Sequence, residues 1–160
     1  MTNLYKIFKK LNKDESYTYS YEQLNNKPSG YQELIKEQKL QGSRQLLFNS
    51  ELMIEIIRWT INFNESIHVT DVEVDHDDDQ SMELEIYRLI QASINDYEKE
   101  VGNLIKILDW CVDSNSIDIK SVSIRNITNN DACKIYFDGT FSGTELLFVG
   151  FIKPFLEANG

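Results

Sequence analysis

The chain has 160 residues, 41% of them hydrophobic, and its formal net charge at pH 7 is −10. A chain of this size and apolar content is expected to fold as one domain, 1–160, without a metal or a disulfide, which excludes an intrinsically disordered protein. The acidic balance also argues against nucleic acid as a direct ligand, because that binding depends on lysines and arginines.

The first thirty residues form a basic, tyrosine-rich segment that we distinguish from the body of the domain at 31–160. Leu4, Ile7, Phe8 and Leu11 have the spacing of one helical face, so they predict a short amphipathic helix docked on the core.

Three tyrosines follow in alternation, at Tyr17, Tyr19 and Tyr21. Alternation predicts a strand with the three rings on one face. Such a ladder can stack bases, cover a core or meet a protein. We expect a protein contact, because tyrosines are effective interface anchors.

The region 31–64 is expected to contain two helices and a strand. Tyr31, Leu34 and Ile35 predict a short helix ending near Gly42. A second helix is expected to begin at 49–51, where side-chain oxygens can cap it. From residue 59 to residue 64 the apolar residues alternate, which predicts a half-buried strand.

The middle of the chain combines a strand, an acidic loop and the strongest helical pattern. Residues 67–74 are β-branched and predict a strand, and the acidic loop covers 75–80. Residues 82–87 fit a returning strand and the start of a helix equally well. From 86 to 112 the apolar residues recur every three or four positions, which predicts one long amphipathic helix.

The last 45 residues predict three strands, at 117–127, 133–141 and 145–151, separated by short polar connections. The expected fold class is therefore α+β, with the long amphipathic helix packed on an antiparallel sheet that ends in a C-terminal three-stranded meander.

Charge is concentrated in the middle of the chain, where 51–100 carries three Lys/Arg against fourteen Asp/Glu. A basic protein is the natural complement of such a region. The residues expected to contact this partner, besides the three tyrosines, are five carboxylates: Asp75, Asp77, Asp78, Asp79 and Glu83.

The sequence contains no recognisable catalytic or metal-binding motif. The two histidines are His68 and His76. His76 lies in an acidic run whose aspartates match the first three ligand positions of a calcium-binding loop. Gln80 and Ile86 replace the glycine and the glutamate that such a loop requires. We therefore expect no catalytic residue, no metal ligand and no cofactor.

The two cysteines and the apolar segments bear on the compartment. Cys111 and Cys133 lack CxxC spacing and are expected to be reduced, buried thiols. Lysines interrupt the apolar residues of 1–11, which argues against a signal peptide. No apolar stretch approaches the roughly 20 residues of a membrane span. We expect a cytoplasmic protein without a membrane partner.

These features predict a non-catalytic acidic protein that binds and inhibits a basic partner. By analogy of charge and size, the expected class is an immunity protein or antitoxin that neutralises a nuclease toxin. A phage-encoded inhibitor of a nucleic-acid-cutting defence enzyme, similar to an anti-CRISPR protein, needs the same electrostatics. From other classes, a small metal- or carboxylate-dependent hydrolase centred on 75–79 and a structural adaptor remain as alternatives.

Overall fold

The computed structural model describes residues 3–24, 30–75 and 81–159. Its first elements are β1 (Leu4–Leu11), β2 (Tyr17–Gln23), α1 (Gly30–Leu40), β3 (Ser43–Gln45), α2 (Ser50–Thr60) and β4 (Ile67–Asp75). There follow α3 (Ser81–Ala92), α4 (Tyr97–Asp113), β5 (Asp118–Asn126), β6 (Ala132–Tyr136), β7 (Thr140–Gly143), α5 (Glu145–Leu147) and α6 (Lys153–Asn159). Every described strand pairing whose register is given is antiparallel, and the predicted α+β class is confirmed.

The chain divides into two compact units. The first unit combines Met1–Leu47 with Asp138–Gly160, and the second unit is Phe48–Phe137. The expectation of a single domain over 1–160 stays a prediction.

The first unit is a sheet centred on β1. β2 pairs with one side of β1, while β3 and β7 pair with the other. Its core is largely aromatic, with Phe8, Phe141 and Phe155 fully buried. A π-helical turn, Phe148–Ile152, joins α5 to α6, and α6 packs against β2.

The helix predicted over 4–11 is wrong, because these residues form strand β1. Tyr5, Lys6, Ile7 and Phe8 are all buried, so both faces of the strand are covered. A strand covered on both faces loses its alternation, and a short apolar run then resembles a helical face.

The second unit packs two helices on the sheet β4-β5-β6 and a third helix on those two. Its buried face is built from residues that lie opposite one another in register: Val69, Val72 and Val74 of β4, Ile119, Val122 and Ile124 of β5, and Cys133 and Ile135 of β6. α2 and α3 contact this sheet, and α4 packs on α2 and α3.

The long helix predicted over 86–112 is divided into α3 and α4. A new helix starts after Asp96, whose side chain accepts a hydrogen bond from the Lys99 amide (3.4 Å) and caps the N-terminus of α4. The apolar residues keep their spacing of three or four positions across the break, because each of the two helices buries one face. Residues 82–87, which the pattern left undecided, belong to α3.

Two predicted strands are helical. Residues 59–63 complete α2 and a 3-10 turn, Ile61–Phe63, instead of starting a strand. Three strands do follow one another near the C-terminus, but the third is β7, and 145–151 is helical. In the described ranges, no helix is both long enough and apolar enough to cross a bilayer.

Candidate functional site

One face of β4 carries three carboxylates, Asp71, Glu73 and Asp75. They alternate with the buried Val72 and Val74, so strand geometry turns all three side chains to the exposed side of the sheet. Together with Asp118 of β5, they form what we call the acidic face.

Asp75 and Asp118 lie directly opposite each other in the β4–β5 register. Like charges in this arrangement destabilise a sheet by about 0.2–1 kcal/mol. The pair borders a pocket of about 340 Å³ that Asn49 and Phe137 also line, and Phe137 is 57% exposed. The pair adds no favourable cross-strand charge interaction to the sheet, which makes it a candidate contact for a basic partner.

Glu83 lies in the first turn of α3 and borders a second groove. This groove, of about 460 Å³, runs between α3 and β4 and is also lined by Asp71 and Glu73. Tyr87, one helical turn after Glu83, is 64% exposed at its rim. The groove thus combines carboxylates with an accessible aromatic ring.

Two lysines partly neutralise the negative charge of the acidic face and the Glu83 groove. Lys134 donates a hydrogen bond to Glu73 (2.5 Å), which raises the pKa of the lysine. Lys120 lines both the Asp75 pocket and the Glu83 groove. Five carboxylates, counting Glu83, therefore face two lysines, and the surface stays negative.

Of the five carboxylates predicted to contact a partner, two lie within the described residues. Asp75 and Glu83 border two different grooves that share Lys120. Asp77, Asp78 and Asp79 lie outside the described residues, as does His76. The sequence did not single out Asp71, Glu73 or Asp118, although the alternation of β4 contained the signal for the first two.

The three tyrosines share one face of β2, as predicted, but this face is covered within the first unit. Tyr19 is 6% exposed and is a core residue. The Tyr21 ring packs against Phe148, with centroids 4.6 Å apart. Tyr17, 41% exposed, is the one of the three with substantial free surface. Tyr19 and Tyr21 are thus structural, because segments distant in sequence cover them.

Glu145, at the start of α5, bonds two of these aromatic residues. Its carboxylate accepts hydrogen bonds from the hydroxyls of Tyr5 and Tyr21, both at 2.7 Å. These bonds lower the pKa of Glu145 and raise the pKa of Tyr21 to about 12. The cluster fixes the C-terminal segment to the β1–β2 hairpin, and no local sequence pattern indicates it.

Lys6 is fully buried in the first unit. Its ammonium group donates to the backbone carbonyl of Asp138, and burial lowers the pKa of the lysine. Gly139 follows with a φ of 82°, and a Cβ there would collide with the Leu46 carbonyl. Lys6 therefore anchors a tight turn.

The remaining candidates for chemistry have structural surroundings. His68 stacks on Tyr97 at 3.9 Å, and its Nε2 lies 2.5 Å from the Asn64 carbonyl. Cys111 and Cys133 are free and buried, as predicted, and burial raises the pKa of Cys133 to about 12. Among the described residues, no three His, Cys, Asp or Glu side chains are grouped so as to hold a metal ion.

Comparison of the chain with protein-family models, with curated proteins and with solved structures finds no match. The charge, burial and geometry of the residues themselves are therefore the basis of any functional proposal.

Proposed function

We propose that the protein is a non-catalytic binding protein that inhibits a basic protein partner through the second unit. The class that fits best is an immunity protein or antitoxin whose partner is a nuclease toxin. Asp71, Glu73, Asp75, Asp118 and Glu83 are the contacts assigned to this role.

The observation that carries the proposal is the position of Asp75 and Asp118. Two carboxylates directly opposite each other repel, and a cation from a partner converts that repulsion into attraction. Phe137, exposed in the same pocket, offers a flat ring on which an arginine side chain can stack. A functional contact explains this arrangement, whereas stability alone does not.

The charge of the unit indicates the kind of partner. The second unit contains eighteen Asp/Glu against seven Lys/Arg, a net of −11. A nuclease binds nucleic acid through clustered lysines and arginines. An acidic protein surface can occupy that cluster, and complementary charge accelerates the encounter. Nucleic acid and a membrane surface are excluded from the proposed ligands for the same reason.

The cytoplasm is the compartment that we propose. Two free, buried thiols suit a reducing environment, in which disulfides rarely persist. An inhibitor of a nuclease also has to act where the nucleic acid is.

Affinity capture with the full chain tests the proposal. The wild type is compared with the triple variant Asp71→Asn, Glu73→Gln, Asp75→Asn. The matched control, Glu65→Gln, Glu98→Gln, Asp113→Asn, removes the same charge from exposed positions elsewhere in the second unit. We expect the wild type and the control to retain one basic protein that the face variant loses. Equal capture by all three would contradict the assignment of the acidic face.

Titration of the captured partner separates inhibition by binding from inhibition by chemistry. We expect the partner's nuclease activity to fall linearly and to reach zero at a fixed molar ratio. The identity of the captured protein distinguishes a toxin from a defence enzyme. Complete inactivation by about a tenth of an equivalent, with a covalent change in the partner's mass, would reveal an enzyme instead.

A further inference from the structure

The outer edge of β2 is open among the described residues. β2 is the last strand in its sheet, and the strand it pairs with is β1. Its seven register pairs with β1 are continuous from Tyr17 to Gln23. The strand also contains neither proline nor lysine, and Glu22 is its one charged residue.

The hydrogen-bond pattern shows which backbone groups point outward. The Leu24 amide donates to the Leu4 carbonyl, and the Asn12 amide donates to the Ser16 carbonyl, both at 2.8 Å. Because antiparallel pairs alternate between bonded and non-bonded, the even-numbered residues of β2 bond to β1. The odd-numbered residues, Tyr17, Tyr19, Tyr21 and Gln23, direct their amides and carbonyls to the open side.

Ile7 provides an independent check on this assignment. It lies opposite Tyr21, yet its amide donates to the Gly139 carbonyl (2.9 Å) and its carbonyl accepts from the Leu46 amide (3.1 Å). Both bonds lie on the side of β1 away from β2. Tyr21 is therefore a non-bonded position, and its own amide and carbonyl face outward.

Proteins normally protect such edges with bulges, charges or covering elements. β4, the outer strand of the second unit, has all three: two register shifts, the carboxylates of its acidic face and helix α3 alongside. The Tyr97 hydroxyl also accepts a hydrogen bond from the Val69 amide (2.8 Å) at this edge. β2 has no bulge: its register with β1 is continuous, Glu22 is its one charge, and α6 packs on the strand without bonding to its outward amides and carbonyls among the bonds described.

We propose that two copies of the chain pair through β2, antiparallel and related by a two-fold axis at Ser20. In this register Tyr17 lies opposite Gln23 of the other copy, Tyr19 opposite Tyr21, and Ser20 opposite its equivalent. All four outward residues then bond across the axis, forming about eight backbone hydrogen bonds.

Backbone pairing and charge favour a second copy as the occupant. Tyr19 lies opposite Tyr21 twice across the axis, but both rings already pack within their own copy, so the pairing depends mainly on the backbone hydrogen bonds. Glu22 lies opposite Thr18, so no like charges face each other. The first unit carries nine Lys/Arg against eight Asp/Glu, so its net charge of +1 adds little repulsion. One strand per copy is a small interface, and we expect a dissociation constant on the order of micromolar.

The proposal is independent of the proposed function, because it uses β2 and none of the acidic face. Sedimentation velocity over a concentration series tests it with the full chain. Wild type is expected to shift from monomer to dimer as concentration rises. Ser20→Lys places two like charges together at the axis and is expected to raise the dissociation constant by about tenfold or more. Gln91→Lys, an equal charge change at an exposed site on α3, should leave it unchanged.

Cysteine cross-linking tests the register, since Cys111 and Cys133 are buried. In Ser20→Cys the two new thiols meet at the axis, and added diamide accepts two electrons and two protons as they form a disulfide. We expect a covalent dimer from Ser20→Cys and none from Thr18→Cys, whose equivalents lie apart. A chain that stays monomeric at every concentration, or a dimer indifferent to Ser20→Lys, would overturn the proposal.

Discussion

The outer strands of the two units, β2 and β4, use alternation in opposite ways. β2 turns its tyrosine face inward against aromatic residues, and its other face carries small polar side chains and one glutamate. β4 turns valines inward and presents Asp71, Glu73 and Asp75 outward. β2 packs most of its tyrosine face within the first unit, whereas β4 presents its carboxylates on an exposed surface.

Individual charged groups show a similar contrast. In the first unit Lys6 bonds to the Asp138 carbonyl, and Glu145 bonds to Tyr5 and Tyr21, so these charges stabilise the fold. In the second unit Lys134 likewise bonds to Glu73, whereas Asp118 lies opposite another carboxylate. A carboxylate that lies opposite a like charge is therefore the first group to test as a partner contact.

The largest expected effects test whether the two units unfold together. Phe141→Ala in the first unit should cost about 3–5 kcal/mol, and Leu108→Ala in the second about 2–5 kcal/mol, because both side chains are fully buried. If the chain is one domain, calorimetry should show one transition that both variants shift. Two transitions, each moved by one variant, would contradict the single-domain prediction. Lys99→Ala, at an exposed site, should cost well under about 1 kcal/mol.

Tyr97→Phe tests how the β4 edge is protected. Its hydroxyl accepts from the Val69 amide and lies 2.6 Å from Thr60 Oγ1. Its removal takes this bond from the buried Val69 amide, whereas Thr60 Oγ1 keeps its hydrogen bond to the Ile57 carbonyl. We expect a loss of about 1–3 kcal/mol in urea unfolding. Tyr87→Phe, which removes a hydroxyl from a side chain 64% exposed, is the control and should be close to neutral. Equal effects would mean that the edge bond contributes little.

Alkaline pH tests the aromatic cluster of the first unit. The hydrogen bond to Glu145 raises the Tyr21 pKa from 10.0 to about 12, so the folded state holds this proton more tightly than the unfolded state. The contribution is complete below pH 10 and is lost as the pH rises to about 12. Tyr21→Phe should flatten this decline in melting temperature, whereas Tyr17→Phe should follow the wild type. If the melting temperature of Tyr21→Phe falls with pH as steeply as that of the wild type, the Tyr21–Glu145 bond does not account for the alkaline loss of stability.

The smallest expected effect has the opposite sign. Asp118→Asn removes the repulsion with Asp75 and should stabilise the free protein by about 0.2–1 kcal/mol. The same variant should weaken capture of the basic partner. Denaturant unfolding and affinity capture of one preparation measure both. A destabilised variant would show that this carboxylate serves the fold.

Some expectations depended on local pattern and were confirmed. The β-branched run of 67–74 is strand β4, because consecutive side chains of a strand alternate between its two faces. The cap at Asn49 begins α2, since its side chain accepts from the Leu52 amide at 2.8 Å. Tyr17, Tyr19 and Tyr21 do share one face of a strand.

Other features were not predicted from local pattern, because distant segments decided them. The spacing of the apolar residues in 4–11 predicted a helical face, yet pairing with β2, β3 and β7 makes these residues the central strand of the first unit. The segment around Phe148 covers most of the tyrosine face, which the sequence did not indicate; a partner contact by these tyrosines stays a prediction. In both cases the covering residues are more than a hundred positions away or come from several elements, and no window of sequence contains them.

The sequence by itself determined the α+β class, the buried thiols and the acidic bias of the middle of the chain, because composition, periodicity and charge are properties of the residues and their neighbours. Tertiary structure alone decided that Asp118 lies opposite Asp75, that Glu145 binds two tyrosines and that the edge of β2 is open. Each of these depends on register between segments far apart in the chain, and register is set by long-range packing that local propensity does not encode.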